Sequence, residues 1–437
     1  MQRIMNLKGD QNTKIPTPDA EAGRQALREL FGPRNLLGAL AGMRRRLGYV
    51  FRIGLPGFRP VFLAGPQASH FALVEGRERL RWRNESDPVT GLLGHGLLVE
   101  DGQAHDELRR KIMPALHRQQ VAGYIDKMWR RTEQVIGAWK PGQTYDMLVE
   151  MRKVALLIVM DTLFEVDMTP ELERLFPAIL DLLKFISPGL WLLGAPRKQY
   201  RESITAINAY LYGLIRERRA HPNGGHDLLS DLIAGGMPDE LIRDQMLTLF
   251  IAGHDTSTAL LAWTLYLAGR HAQVQPALAA EAGSLPVETP PSPEQVEGLV
   301  FFKQVIDETL RLYPPIHVGN RVAGADLAVC GYAIPPGERV MVSYYSTQHD
   351  ETHWPDPERF DPQRFGLGKQ HTPYSYLPFG GGPRNCLGAN FAQVEAKVVL
   401  GRLFQRYAVT LTRPRVHLHM GATLEPRPGV FMRVERR

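Results

Sequence analysis

The segment Phe379-Gly380-Gly381-Gly382-Pro383-Arg384-Asn385-Cys386-Leu387-Gly388 constrains this chain more than any other. Three consecutive glycines let the backbone take positive φ and approach a large planar group closely. Cys386 falls just before a stretch, about 388–407, whose pattern predicts a helix. Unpaired N–H groups and the dipole at a helix start lower a thiol's pKa and stabilise the thiolate. Arg384, two residues earlier, can neutralise an anionic group. A cysteine beside a glycine-rich turn, taken alone, is most often structural, because free Cys is among the most buried residue types. The spacing argues otherwise: Phe-x-x-Gly-x-Arg-x-Cys-x-Gly fixes five positions at set offsets.

Composition narrows the context. Of 437 residues, 44% are hydrophobic and 22% charged, so the chain can bury a core and is not disordered as a whole. The net charge of +6 is scattered, with short runs only at Arg44-Arg45-Arg46 and Arg109-Arg110-Lys111. Neither of these runs is interleaved with aromatics, so a nucleic-acid partner is not expected. The two cysteines, Cys330 and Cys386, suit a reducing compartment and leave a thiol available as a ligand. The N-terminus has no apolar signal-peptide core. The longest apolar stretch, Met246–Gly269, is broken by His254-Asp255-Thr256, which argues against a membrane span. A cytoplasmic monomer is the expectation.

Along the chain, residues 1–20 read as a loose tail and 21–437 as one domain, since no linker divides them. Tyr49–Leu55 and Pro60–Ala64, joined by Pro56-Gly57-Phe58-Arg59, read as a β-hairpin. From about 66 to 315 the pattern is mostly helical. A long helix is predicted over about 238–271, opening on Asp239 and Glu240. An apolar loop at 189–193 is flanked by Pro-Gly punctuation. A helix over about 300–313 stops at Pro314-Pro315, strand-like pieces follow to about 345, and a β-rich tail closes the chain. Cys330 is expected to pack in one of these strands.

With the cysteine loop in place, the sequence resembles the cytochrome P-450 family of haem-thiolate enzymes, over nearly its whole length. Glu308-Thr309-Leu310-Arg311 matches the family's Glu-x-x-Arg pair, which a downstream arginine completes. Two candidates exist for that arginine. Trp354-Pro355-Asp356-Pro357-Glu358-Arg359-Phe360-Asp361-Pro362-Gln363-Arg364-Phe365 aligns without a gap and selects Arg364 over Arg359, with Gln363 in place of the usual Glu. Ala252-Gly253-His254-Asp255-Thr256 interrupts an apolar helix with polar groups, which is costly without a role. It matches the family's oxygen-activation motif. Gly253 is expected to let a ligand approach the helix, and Asp255 and Thr256 to relay protons. His105 and Arg109, at i and i+4, resemble the family's propionate-binding helix, with Arg321 and Arg384 at the other matching positions.

The resemblance implies a mainly α, triangular fold with a small β-rich lobe and a long central helix. It implies haem b with Cys386 as the iron ligand, and Phe379, Gly382 and Gly388 shaping the loop around it. The reaction would insert one oxygen of O₂ into an apolar substrate, such as a fatty acid, terpenoid or polyketide, while the other is reduced to water. Only about fifty residues follow Cys386, so electrons are expected from a separate ferredoxin or flavodoxin. Its docking patch is expected at Arg110, Lys111, Arg118, Lys397 and Arg402. Ile251, Ala252, Ile316, His317, Val318 and parts of 88–98 are expected to line the substrate pocket. The alternatives are a peroxide-dependent haem-thiolate enzyme, which typically lacks the acid–alcohol pair, and a haem sensor or carrier without turnover.

Overall fold

A computed structural model describes residues 14–30, 35–54, 58–187, 197–222 and 227–437. The apolar loop at 189–193 and the Pro56-Gly57 turn lie outside the described residues. The chain forms two compact units, each assembled from three segments.

The first unit comprises Met1–Asn84, Ile316–Arg359 and Gly368–Cys386. Its centre is a five-stranded sheet in the order Val50–Arg52, Val61–Leu63, Arg339–Ser343, Val318–Ala323, Leu80–Arg81. The first two strands pair antiparallel, as the hairpin reading requires. The β-branched and aromatic run Val61-Phe62-Leu63 is fully buried and runs parallel to Val340–Val342. Strand Val318–Ala323 alternates between half-buried and buried positions, and Arg321 occupies a buried one. The period-2 pleat therefore carries a guanidinium inward.

Two expectations need correction in this unit. The tail is not loose over its full expected length. Ile15 is buried in the sheet's apolar cluster, and the Pro16 carbonyl accepts from Arg52 N at 2.8 Å. Cys330 is not in a strand. It turns the hairpin between Leu327–Val329 and Tyr332–Ile334, with φ of 51° at Cys330 and 85° at Gly331. A two-residue hairpin whose central residues both have positive φ matches the right-handed strand twist.

The second unit comprises Glu85–Pro315, Phe360–Leu367 and Leu387–Arg437. Its axis is the predicted long helix, observed as Asp239–Arg270. It packs along the helix Met147–Phe164, which is buried on nearly all sides. A Cβ on Gly253 would stand 2.8 Å from Val159 Cγ2. The space expected for a ligand at Gly253 is thus taken by the neighbouring helix, and glycine there permits close helix approach. The helix Ala389–Arg406 is the third core element. A three-stranded sheet, Thr144–Asp146, Phe431–Arg436 and Tyr407–Leu411, and the hairpin His417–Met420/Leu424–Arg427 complete the unit.

The Glu-x-x-Arg pair sits on the helix Val300–Leu312, where both side chains are fully buried. Arg311 Nε and Nη2 donate to Glu308 at 2.7 and 2.9 Å, and Asp361 N donates to Glu308 Oε1 at 2.9 Å. Arg364 Nε lies 3.4 Å from Glu308 Oε1, as the gapless alignment selected, while Arg359 is exposed. Glu308→Ala would remove the buried carboxylate that Arg311 and Arg364 share. The expected loss is about 3–5 kcal/mol, a large part of the roughly 5–15 kcal/mol that holds a domain folded. A urea midpoint unchanged from wild type would refute the pairing.

Candidate active site

The cysteine loop is closed on itself by backbone bonds. Cys386 N donates to Phe379 O at 2.8 Å, and Asn385 N to Gly382 O at 3.1 Å. Gly380 and Gly382 take φ of 68° and 66°, values that side-chain-bearing residues rarely adopt. A Cβ on Gly382 would overlap the Leu73 carbonyl oxygen, so this glycine is needed for backbone-to-backbone contact. Cys386 forms no disulfide and is exposed. Nearby in the same unit, Trp82 carries two guanidinium groups, Arg321 at 3.9 Å and Arg384 at 5.6 Å from the ring centroid. Two cations held on one aromatic platform suit a dianion.

In the second unit, every residue of the long helix from Ile242 to Leu265 is buried except Ala252, Gly253 and Thr256. Ala252 and Thr256, at i and i+4, form one half-covered spot on an otherwise enclosed helix, while the Cβ side of Gly253 is packed on Val159. Thr256 Oγ1 donates to Ala252 O at 2.7 Å, the back-bond that lets a hydroxyl sit within a helix. His105 and Arg109 share a face of the helix Gly102–Ile112. His105 is buried with Nδ1 2.8 Å from Asp106 Oδ1, and Arg109 is half-buried. Gly388 stands immediately before the helix Ala389–Arg406, and a Cβ there would meet nothing within 4 Å. Of the expected pocket residues, Ile251 and His317 are buried, Val318 is half-buried and Ile316 is 38% exposed.

Asp255 and Thr256 are neighbours in sequence but not in environment. Asp255 is buried against other elements, its Oδ1 3.0 Å from Arg152 Nη2 and its Oδ2 accepting from Thr423 Oγ1 at 2.9 Å. Arg152 also pairs with Glu425, whose other oxygen reaches Arg427 at 2.7 Å. Burial pushes the Asp255 carboxyl up to about 6, with Arg152 opposing and Glu425 adding to the rise. His254 is fully buried, with Nδ1 2.6 Å from Phe250 O, and desolvation lowers it to about 3, so it is neutral.

Sequence reasoning missed Arg152, Thr423 and Glu425, and also Ser257 and Glu395, which bond each other in the core. A signal existed for two of them. Arg152 shares a helical stripe with Leu148, Leu156 and Val159, and Glu395 shares one with Phe391, Val398 and Val399. The expected basic docking patch is corrected. Lys397 is buried and donates to Val296 O at 3.1 Å, while Arg402 is buried and held by Glu133 at 2.8 Å. Their helix runs through the unit's interior, so neither can present charge to a partner. Arg118 is exposed but pairs with Glu297. Arg110 and Lys111 remain exposed.

The cytochrome P450 family profile matches residues 29–431. Cyclooctatin synthase of Streptomyces melanosporofaciens is 30% identical, over 86% of this chain and 85% of its own length. Cyclooctat-9-en-7-ol 5-monooxygenase of the same organism is 31% identical over 74% of each chain. The crystal structure of the cytochrome P450DA heme domain superposes with a TM-score of 0.85 at 26% identity, covering 97% of both chains. The chain belongs to the cytochrome P450 family. It is an oxidoreductase of the P450 monooxygenase class with that family's mainly helical fold. Among the described residues, no helix is long and apolar enough to cross a membrane.

The Ser257–Glu395 bond gives a pH test. Burial pushes Glu395 up to about 8, with the Ser257 hydrogen bond opposing, against an ordinary value of 4.5. A carboxyl whose folded pKa is raised binds its proton more tightly in the native state. Its contribution is therefore fully present below about pH 4.5 and is lost as pH rises through about 8. Glu395→Gln should remove that slope. Relative to wild type the variant gains stability between pH 5 and 8.5, by roughly 3–5 kcal/mol at most. Denaturation midpoints across that range check it, and parallel pH profiles would refute it.

Proposed function

We propose that this protein is a cytoplasmic monooxygenase that uses O₂, and electrons from a separate acidic ferredoxin or flavodoxin, to oxidise an apolar small molecule of the fatty acid, terpenoid or polyketide kind. The observation that carries the reading is Cys386, outside any disulfide, in a backbone-closed glycine loop in the same unit as the paired arginines on Trp82. These residues fit haem b. Cys386 would ligate its iron, and Arg321 and Arg384, with His105 and Arg109, would hold its propionates. The loop from Phe379 to Gly388 would let the ring approach the backbone. When bound, a thiolate-ligated haem supplies reductive O₂ activation, with the thiolate's electron density favouring O–O cleavage.

The protein's own part is to hold and move protons. Asp255, pushed up to about 6, can be protonated or ionised near neutral pH, which suits a group that must both take and give a proton. Its carboxylate is tied to Arg152 and Thr423, so delivery requires it to exchange a partner or to act through water. Thr256, on the half-covered spot, supplies a hydroxyl that can accept a further hydrogen bond while donating to Ala252 O. Gly253 serves this arrangement indirectly, by fixing how closely the two core helices pack. One relative is named for oxidising cyclooctat-9-en-7-ol, an unsaturated alcohol, which favours an apolar substrate here as well. Arg110 and Lys111 are the exposed cations left to steer an acidic donor. Residues 21–437 act as one catalytic domain in this reading, because each unit is built from three chain segments and neither can be excised alone.

Two substitutions test the roles. Cys386→Ser should abolish the red-shifted Soret band of the reduced, CO-bound protein, and a variant that keeps the band would remove Cys386 as ligand. Thr256→Ala should keep that band and still bind ligands, yet send electrons to peroxide. Proton-delivery groups contribute roughly 10²–10⁴-fold where proton transfer limits the rate. The ratio of product to NADH, measured with a surrogate redox pair, should fall well below wild type. An unchanged ratio would rule out the role.

A further inference from the structure

The segment between the helices Pro88–Leu93 and Gly102–Ile112 is attached to the long helix in an unusual way. Connecting backbone ordinarily lies at the surface, where water satisfies its N–H and C=O groups. Here side chains of the helix do so. His95 N donates to Asp244 Oδ2 at 2.7 Å, and Leu97 N donates to Gln245 Oε1 at 2.8 Å. Gln245 Nε2 returns a bond to His95 O at 2.9 Å. Arg243 braces the arrangement, donating to Asp244 Oδ1 at 2.7 Å and to Leu92 O at 3.1 Å. Arg243, Asp244 and Gln245 are consecutive and all buried.

Glycine makes the contact possible from the other side. Gly94 has φ of 59°, and a Cβ there would overlap the Asp244 carboxylate. A Cβ on Gly96 would overlap the Thr248 hydroxyl and lie 3.0 Å from the Asp244 carbonyl oxygen. The 94–97 backbone therefore rests on the Asp244, Gln245 and Thr248 side chains of the helix, and Gly94 and Gly96 put no side chain of their own between.

The position of this attachment matters. Gln245, Thr248, Ala252 and Thr256 are spaced by three, four and four residues, so they lie on one stripe of the helix. Ala252 and Thr256 form the half-covered spot, and Thr248 is about 6 Å below Ala252 along the axis at 1.5 Å per residue. The pinned segment thus borders one end of that spot. Immediately after the pinned amide of Leu97 comes Leu98, a large apolar side chain left 37% exposed.

We propose that Asp244 and Gln245 are positioning residues that fix the 94–98 segment as the end wall of the substrate site and so set which ligand shapes it accepts. This rests on the monooxygenase reading, in which Ala252 and Thr256 face the substrate. The two residues touch neither substrate nor haem; they act through the backbone of His95 and Leu97.

The test pairs a readout of the clasp with a readout of selectivity. Gln245→Met keeps volume and removes both hydrogen bonds. Asp244→Ala removes the His95 acceptor, and Asp244→Asn keeps one. Gly96→Ala lifts the segment from the opposite side and guards against a helix variant that fails to fold. Hydrogen exchange at the His95 and Leu97 amides is measured first. Imidazole, 4-phenylimidazole and a bulky N-substituted azole are then titrated by the Soret shift of the haem-loaded protein. Gln245→Met, Asp244→Ala and Gly96→Ala should speed exchange and change the bulky-to-small affinity ratio by at least about fivefold, on the scale of one lost hydrogen bond. Asp244→Asn should stay near wild type. Faster exchange with an unchanged ratio overturns the proposal, because the clasp is then only structural, and unchanged exchange overturns it as well. Wild-type protein without the red-shifted CO band would instead defeat the monooxygenase reading, and the exchange result would still stand.

Discussion

Enclosure of the helix Asp239–Arg270 governs the second unit. A helix of 32 residues runs about 48 Å at 1.5 Å per residue and is surrounded for most of that length. Such a helix cannot solvate its polar side chains, so burial favours those that find protein partners. The partners define the neighbours: Asp255 demands Arg152 and Thr423, Ser257 demands Glu395, and Asp244 and Gln245 demand the 94–97 backbone. Gly253 lets the helix Met147–Phe164 come close enough for Arg152 to reach. Ala252 and Thr256 are only half-covered, and Thr256 is one of the two residues at which a proton relay is proposed.

Successive residues on a helix point about 100° apart. An acid directly before an alcohol therefore cannot share its face, and the structure shows the consequence. Asp255 faces a charged, covered environment, while Thr256 faces the half-covered spot. Adjacency in sequence suggested a proton relay, and in the reading proposed above geometry gives the two residues separate parts in it.

Long periodic elements were the most legible in sequence. The long helix, the helix ending before Pro314 and the final helix all fall within two residues of their predicted bounds, because apolar periodicity and Pro punctuation are local signals. The gapless alignment also distinguished Arg364 from Arg359, since only one of the two is in register with Glu308. What was illegible is what depends on distant segments. Glu425 lies 273 residues from Arg152, and nothing local marks it as its partner. Lys397 and Arg402 read as surface cations, because a charge on a helix is usually solvated; their burial follows from how their helix packs, on Val296 and Glu133. Cys330 read as strand, because a non-glycine residue with positive φ leaves no trace in a propensity.

The same distance explains how the site is tuned. Arg152 is one guanidinium serving two carboxylates, Asp255 and Glu425, and both are almost fully buried. An isolated Arg–Asp pair would hold the carboxylate below its ordinary range. Division of the arginine with Glu425 weakens that hold, and desolvation then carries Asp255 upward to about 6. Burial therefore dominates the proton affinity of Asp255, and a hairpin about 170 residues away in sequence adds to the rise through Glu425. A family pattern centred on Asp255 and Thr256 names the residues proposed to act. It cannot specify the pH at which the acid changes state, because that value belongs to residues the pattern does not contain.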